Sequence, residues 1–181
     1  VNAWTWEHMA LTRARVLFGS ESARADVADI IRDVLHTPRE ADTLRHDIAT
    51  MRKDMAAHNP PKGALDVKLL PGGLVDMEFI IHALQLETHD GLQPQLGPAI
   101  DALVAAGHLQ ADFAKAFALM ARLLVMVRLI APDCAAPPEA AQKLIAHSLG
   151  FNDWDGLTQA LRDYRGVVMT QWHGLFGARD F

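Results

Sequence analysis

Residues 66–86 read DVKLLPGGLVDMEFIIHALQL, and the fold class turns on this stretch. Asp66 to Leu70 reads as a short extended segment, with one short strand expected near Val67. The turn Pro71-Gly72-Gly73 follows, and paired glycines permit the positive φ or the close backbone approach that a tight helix entry needs. Beyond it, at about 100° per residue, Leu74, Val75, Met77, Phe79, Ile80, Ile81, Leu84 and Leu86 fall almost all round a helix. A helix apolar on nearly every side is buried on nearly every side. Residues 74–88 are therefore expected to form the buried centre of an all-α bundle. Glu78, His82 and Gln85 share one polar stripe, while Asp76 lies on roughly the opposite side.

Two readings of those acids stand side by side. In one, Asp76 gains about 0.3–1 kcal/mol from the helix dipole in the first turn, and Glu78 merely begins a polar seam with His82. In the other, a mostly buried helix keeps charges only where they meet a partner. The turn would then bring Asp76 to Lys68 or Arg52 and leave Glu78 facing outward. Either way the two carboxylates diverge, so they make neither an acid/base pair nor a two-carboxylate metal site.

Outward from this centre the chain reads as further helices, seven or eight in all. The first, about Ala3 to Leu17, carries Trp4 and Trp6 within three residues. Both cannot enter one small core, so Trp4, Trp6, Glu7, Arg13 and Arg15 are candidates for contact with a neighbouring domain. A second helix contains Val27, Ile30, Ile31 and Val34, with Asp26 and Asp29 on a solvated face. A third opens with Thr37 as N-cap, Pro38 in the first position and Glu40 closing a capping box. Its core stripe is Ala41, Leu44, Ile48, Met51 and Met55, and Arg45, Asp47, Arg52, Lys53 and Asp54 read as a mixed-charge surface. After the centre come helices at about Pro98 to Gly107, Asp112 to Ile130, Pro138 to Leu149 and Asp153 to Phe176. The last places Trp154, Leu157, Leu161, Tyr164, Val168, Trp172 and Leu175 on one stripe.

Composition narrows the function classes. The 181 residues are 50% hydrophobic with a net charge of −5, and a pI near 6.0 argues against nucleic-acid binding, which wants a basic footprint. Cys134 alone rules out an internal disulfide and suits a reducing cytoplasm. The longest apolar run, Ala116 to Val127, is interrupted by Arg122 and stopped by Arg128, so no membrane span is expected. The chain does not open on Met and is expected to be a piece of a longer protein.

Gly19-Ser20 invites comparison with the opening of a nucleotidyltransferase site, but no strand-borne D-x-D follows it, where alternate carboxylates would hold metal ions. Asp153-Trp154-Asp155 has the letters, yet it opens a helix, where acids are expected anyway. Acid and histidine recur at i, i+4 in Asp42/His46, Asp54/His58 and Glu78/His82, each without a third ligand nearby. No metal site and no catalytic residue is expected within this chain.

Lys68, Gly72-Gly73, Asp76 and Glu78-Phe79 resemble the K…GG-[IL]-x-D-[IV]-E-F motif of the glutamine synthetase adenylyltransferases. Met77 stands where Ile or Val is usual, and Leu70 where Gly or a polar residue is common. Residues 3–15, AWTWEHMALTRAR, and 37–55, TPREADTLRHDIATMRKDM, are similar to flanking blocks of the same family. The resemblance is strong to about residue 90 and fades to helix pattern beyond.

It implies that residues 1–181 are the single helical domain that follows the C-terminal nucleotidyltransferase domain. In that family the whole enzyme transfers AMP from ATP to a tyrosine of glutamine synthetase, with Mg²⁺. A separate N-terminal half removes the AMP, under control of the PII signalling protein and glutamine. Lys68, Gly72, Gly73, Asp76 and Glu78 would then support a neighbouring active site. The alternatives are a noncatalytic adaptor binding a protein partner through its terminal helix, or the helical domain of a PII uridylyltransferase.

Overall fold

A computed structural model describes residues 3–178. Eight helices follow one another: α1 (Thr5–Leu11), α2 (Glu21–Leu35), α3 (Ala41–His58), α4 (Leu74–Thr88), α5 (Leu96–Ala105), α6 (Ala111–Ile130), α7 (Glu139–Ser148) and α8 (Trp154–Phe176). The architecture is all-α, and no strand occurs among the described residues.

The all-round apolarity of α4 has a simple cause, because this helix is shared by two cores. Met77, Ile80, Ile81 and Leu84 join the larger one, built with α5, α6, α7 and α8 and including Ile100, Phe113, Met120, Leu123, Val168 and Trp172. Ala83 and Leu86 face the smaller one, with Met9 of α1, Leu35 of α2 and Leu44 and Ile48 of α3. The two longest helices, α6 and α8, pack on each other. Of the α8 stripe, Leu157, Leu161, Val168 and Trp172 are buried, and Trp154, Tyr164 and Leu175 are partly buried against the larger core.

Several expectations need correction. The first helix stops at Leu11 rather than near Leu17. Thr12 is buried there, with its hydroxyl donating back to Met9 O at 2.7 Å and its oxygen 2.8 Å from His82 Nδ1, so a tertiary contact ends the helix. The strand near Val67 does not form. A strand needs a partner ladder, and here the backbone is spent on turns: Leu69 N and Lys62 N donate to the Asp66 carboxylate, while Leu65 N donates to Cys134 O at 3.0 Å.

The third helix begins at Ala41, capped by Glu40 itself, whose carboxylate accepts from Thr43 N at 2.7 Å. Thr37 belongs to the end of α2, where its hydroxyl donates to Asp33 O. Within the mixed-charge set on α3, Arg52 is no surface residue; it is 2% exposed. Arg45 is ion-paired to Glu87 of α4. The D-x-D letters at 153–155 are a cap, as read, with Asp153 accepting from Gly156 N at 2.7 Å. No helix among the described residues is long and apolar enough to cross a membrane.

Candidate functional site

The motif segment is a loop wound over the N-terminus of α4 and locked by one buried ion pair. Arg52 Nε of α3 donates to Asp76 Oδ1 at 2.7 Å, and its terminal nitrogen donates to Leu69 O at 3.0 Å. Asp76, fully buried, accepts from Gly72 N through Oδ2 at 2.6 Å. One carboxylate thus ties α3, the turn and α4 together. Of the two cations expected near Asp76, Arg52 is the one that reaches it, while Lys68 is exposed. Lys68 contributes its carbonyl, which accepts from Val75 N at 3.1 Å in the first turn of α4.

The two glycines are required by this winding. Gly72 has φ +74°, and a Cβ there would stand 2.5 Å from Arg165 O of α8. A Cβ on Gly73 would stand 2.6 Å from Val67 O and 2.7 Å from Leu70 O. Both obstacles are backbone, so Gly73→Ala is expected to cost about 1–3 kcal/mol, the scale of overpacking. Urea unfolding of that variant would check it, and an unchanged midpoint would mean the loop yields freely.

On the other side of α4 the polar seam meets α1. Glu78 is partly exposed, its carboxylate 4.0 Å from the guanidinium of Arg13, which is itself half in solvent. Beneath them His82 is buried, with Nδ1 2.8 Å from Thr12 Oγ1 and 3.2 Å from Gln85 Oε1. The Thr12 hydroxyl already donates to Met9 O, and the Gln85 amide nitrogen donates to Gly91 O at 2.6 Å. Both neighbours therefore present acceptors, which places the imidazole proton on Nδ1.

Burial, first, pushes the His82 pKa down from 6.5 to about 4; the Gln85 contact opposes this and the charge on Arg13 adds to it. A base depressed in the folded state favours folding while it stays neutral, so this contribution is complete above about 6.5. It is lost as pH falls towards 4, about 3 kcal/mol at full extent. His82→Gln is expected to flatten the stability profile in that window, read by melts from pH 4 to 7. An unchanged slope would mean that another group controls it.

The remaining candidates separate. Trp4 is 72% exposed and Trp6 56% exposed, and Arg13 and Arg15 are also exposed. Glu7 instead closes the start of α1, accepting from Trp4 N at 2.7 Å. The structure thus brings Asp76 together with Gly72 and Arg52, and Glu78 together with Arg13. It keeps Asp76 and Glu78 apart, as their helical spacing requires. The seam residues Thr12 and Gly91 were not singled out from the sequence; the i, i+3 pair His82/Gln85 was the only local sign of them. Among the described residues no three His, Cys, Asp or Glu side chains converge as a metal site would need.

No protein-family model matches the chain. It is similar to curated proteins described as bifunctional glutamine synthetase adenylyltransferase/adenylyl-removing enzyme. That of Rhizobium meliloti (strain 1021) is 37% identical over 172 residues, covering 90% of this chain and 17% of the relative. That of Rhodopseudomonas palustris (strain BisB5) is 37% identical over 190 residues, covering 98% and 19%. That of Brucella suis biovar 1 (strain 1330) is 32% identical over 185 residues, covering 97% and 19%. The similarity therefore continues past residue 90 into the later helices, and the chain spans under a fifth of the length of these relatives. The chain is homologous to a part of the bifunctional glutamine synthetase adenylyltransferase/adenylyl-removing enzymes.

Proposed function

We propose that this chain is the helical domain following the C-terminal nucleotidyltransferase domain of such an enzyme, and that it supports AMP transfer without performing it. The observation that carries the reading is the division of labour within one motif. Asp76 is buried against Arg52, whereas Glu78, two residues on, keeps a third of its side chain in solvent. Asp76 with Gly72 and Gly73 shapes the loop, and Glu78 and Lys68 are left to meet the neighbouring catalytic domain. ATP and Mg²⁺ would be held there. Glutamine synthetase and the PII protein are the partners of the whole enzyme in this reading, and the cytoplasm its compartment. The adaptor alternative, binding through the terminal helix, is the weaker reading because the apolar stripe of α8 packs on the larger core.

The 181-residue chain is expected to transfer no AMP to glutamine synthetase when incubated with labelled ATP and Mg²⁺; label above background would sink the assignment. In the full-length enzyme, Glu78→Gln is expected to slow transfer roughly tenfold or more, the scale of a misplaced reacting group. The same change should leave the stability of the short chain within about 0.5 kcal/mol, since a long, half-solvated ion pair is worth little. Full activity at full length, or unfolding of the short chain, would reduce Glu78 to a packing residue.

A further inference from the structure

We infer that α2 and the segment leading into it form the seat on which the preceding nucleotidyltransferase domain docks, a step that rests on the proposed function and names its surface. Every residue from Glu21 to Ile30 is exposed, and the one buried residue of α2 is Leu35 at its end. A helix of 15 residues is marginal in water by itself, and its main packing among the described helices is on α1. Beside the solvated charges Glu21, Arg24, Asp26 and Asp29, its exposed surface also carries large apolar side chains. Val27 is 43% and Ile30 61% exposed, and just before them Leu17 is 73% and Phe18 88% exposed.

Between α2 and the 14–16 segment lies a groove of about 470 Å³, lined by Ala14, Val16, Ala25, Ala28 and Ile31 together with the charged Arg15, Glu21 and Arg24. It continues over Ala14, Ala28 and Ile31 into a second hollow of about 420 Å³ that reaches Leu92. Small floor residues between large exposed ones make a surface into which a partner's side chains can be inserted. Large exposed apolar side chains gathered beside such a groove are the signature of an interaction site.

The position of the patch identifies the occupant. Of the large apolar side chains exposed among the described residues, Trp4, Trp6, Leu17, Phe18, Val27 and Ile30 lie within the first thirty residues, and only Val125, Leu129 and Leu144 lie elsewhere. A domain joined at the N-terminal end is held beside this patch at high effective concentration, so a contact too weak for free partners is populated when tethered. The matched relatives, about five times longer than this chain, have the length to supply one.

Amide hydrogen exchange of residues 21–31 tests this, measured in the 181-residue chain and in the protein extended upstream through the nucleotidyltransferase domain. Exchange in α2 is expected to be at least about tenfold slower in the longer protein. Ile30→Asp should leave the melting of the short chain unchanged, yet return α2 of the longer protein to the fast rate. Equal exchange in the two wild-type proteins would overturn the inference. So would protection in the short chain that grows with its concentration, which would name a second copy as the occupant. Transfer of AMP by the longer protein is scored separately. Activity with unprotected α2 removes the docking surface alone, and protected α2 in an inactive protein removes the adenylyltransferase reading and leaves the docked domain.

Discussion

Asp76→Asn is expected to destabilise the chain by about 3–5 kcal/mol, the range for removing one partner of a buried ion pair. The asparagine keeps the shape and can still accept from Gly72 N. Its amide group, however, turns a donor or a neutral oxygen towards Arg52, which is 2% exposed and has been placed there by a carboxylate 2.7 Å away. The cost lies in the stranded guanidinium rather than in the lost hydrogen bond. The double variant Arg52→Met with Asp76→Asn should therefore be less damaged than the sum of the two single changes. Urea melts of the three variants at pH 7 measure this. A loss below about 1 kcal/mol for Asp76→Asn would mean that water reaches Arg52 and that the pair is not the lock of the motif loop.

Leu84→Ala is expected to cost about 2–5 kcal/mol, the transfer term plus the cavity left behind. Leu84 is 5% exposed and lies in the larger core with Met77 and Ile80, neither of which touches solvent. The site is bounded by a helix already packed on both sides by two cores, so little can move in to fill the hole. Leu129→Ala on α6, where the side chain is 77% exposed, serves as the contrast and should stay within about 0.5 kcal/mol. Denaturant midpoints of both variants give the comparison. Similar small losses in the two would mean that α4 does not organise the bundle.

Much of this molecule could be read from local pattern. Helical spacing marked α3 to α8, and the near-continuous apolarity of residues 74–86 named α4 as the buried centre. The Pro71-Gly72-Gly73 turn announced a close backbone approach, and the opposed directions of Asp76 and Glu78 follow from two steps of helical rotation. These features depend on neighbours within a turn or two, so the residues that determine them lie side by side in the chain.

What the tertiary structure decided is of another kind. Arg52 sits among Arg45, Lys53 and Asp54 in a mixed-charge stretch, and although it follows Leu44 and Ile48 at i+4 spacing on one face of α3, the sequence leaves it and Lys68 as equal candidates for Asp76. The burial of Arg52 is set by Asp76, 24 residues away, and by the loop carbonyl at Leu69. The end of α1 was equally hidden, because Thr12 stops the helix by meeting His82, 70 residues on. The extended segment at Val67 had strand-like residues, but the all-α surroundings offered it no ladder, and the Asp66 carboxylate gathered its amides into turns instead. A charge, a helix end or a strand is settled by whichever distant group satisfies its hydrogen bonds, and periodicity along the chain carries no record of that partner.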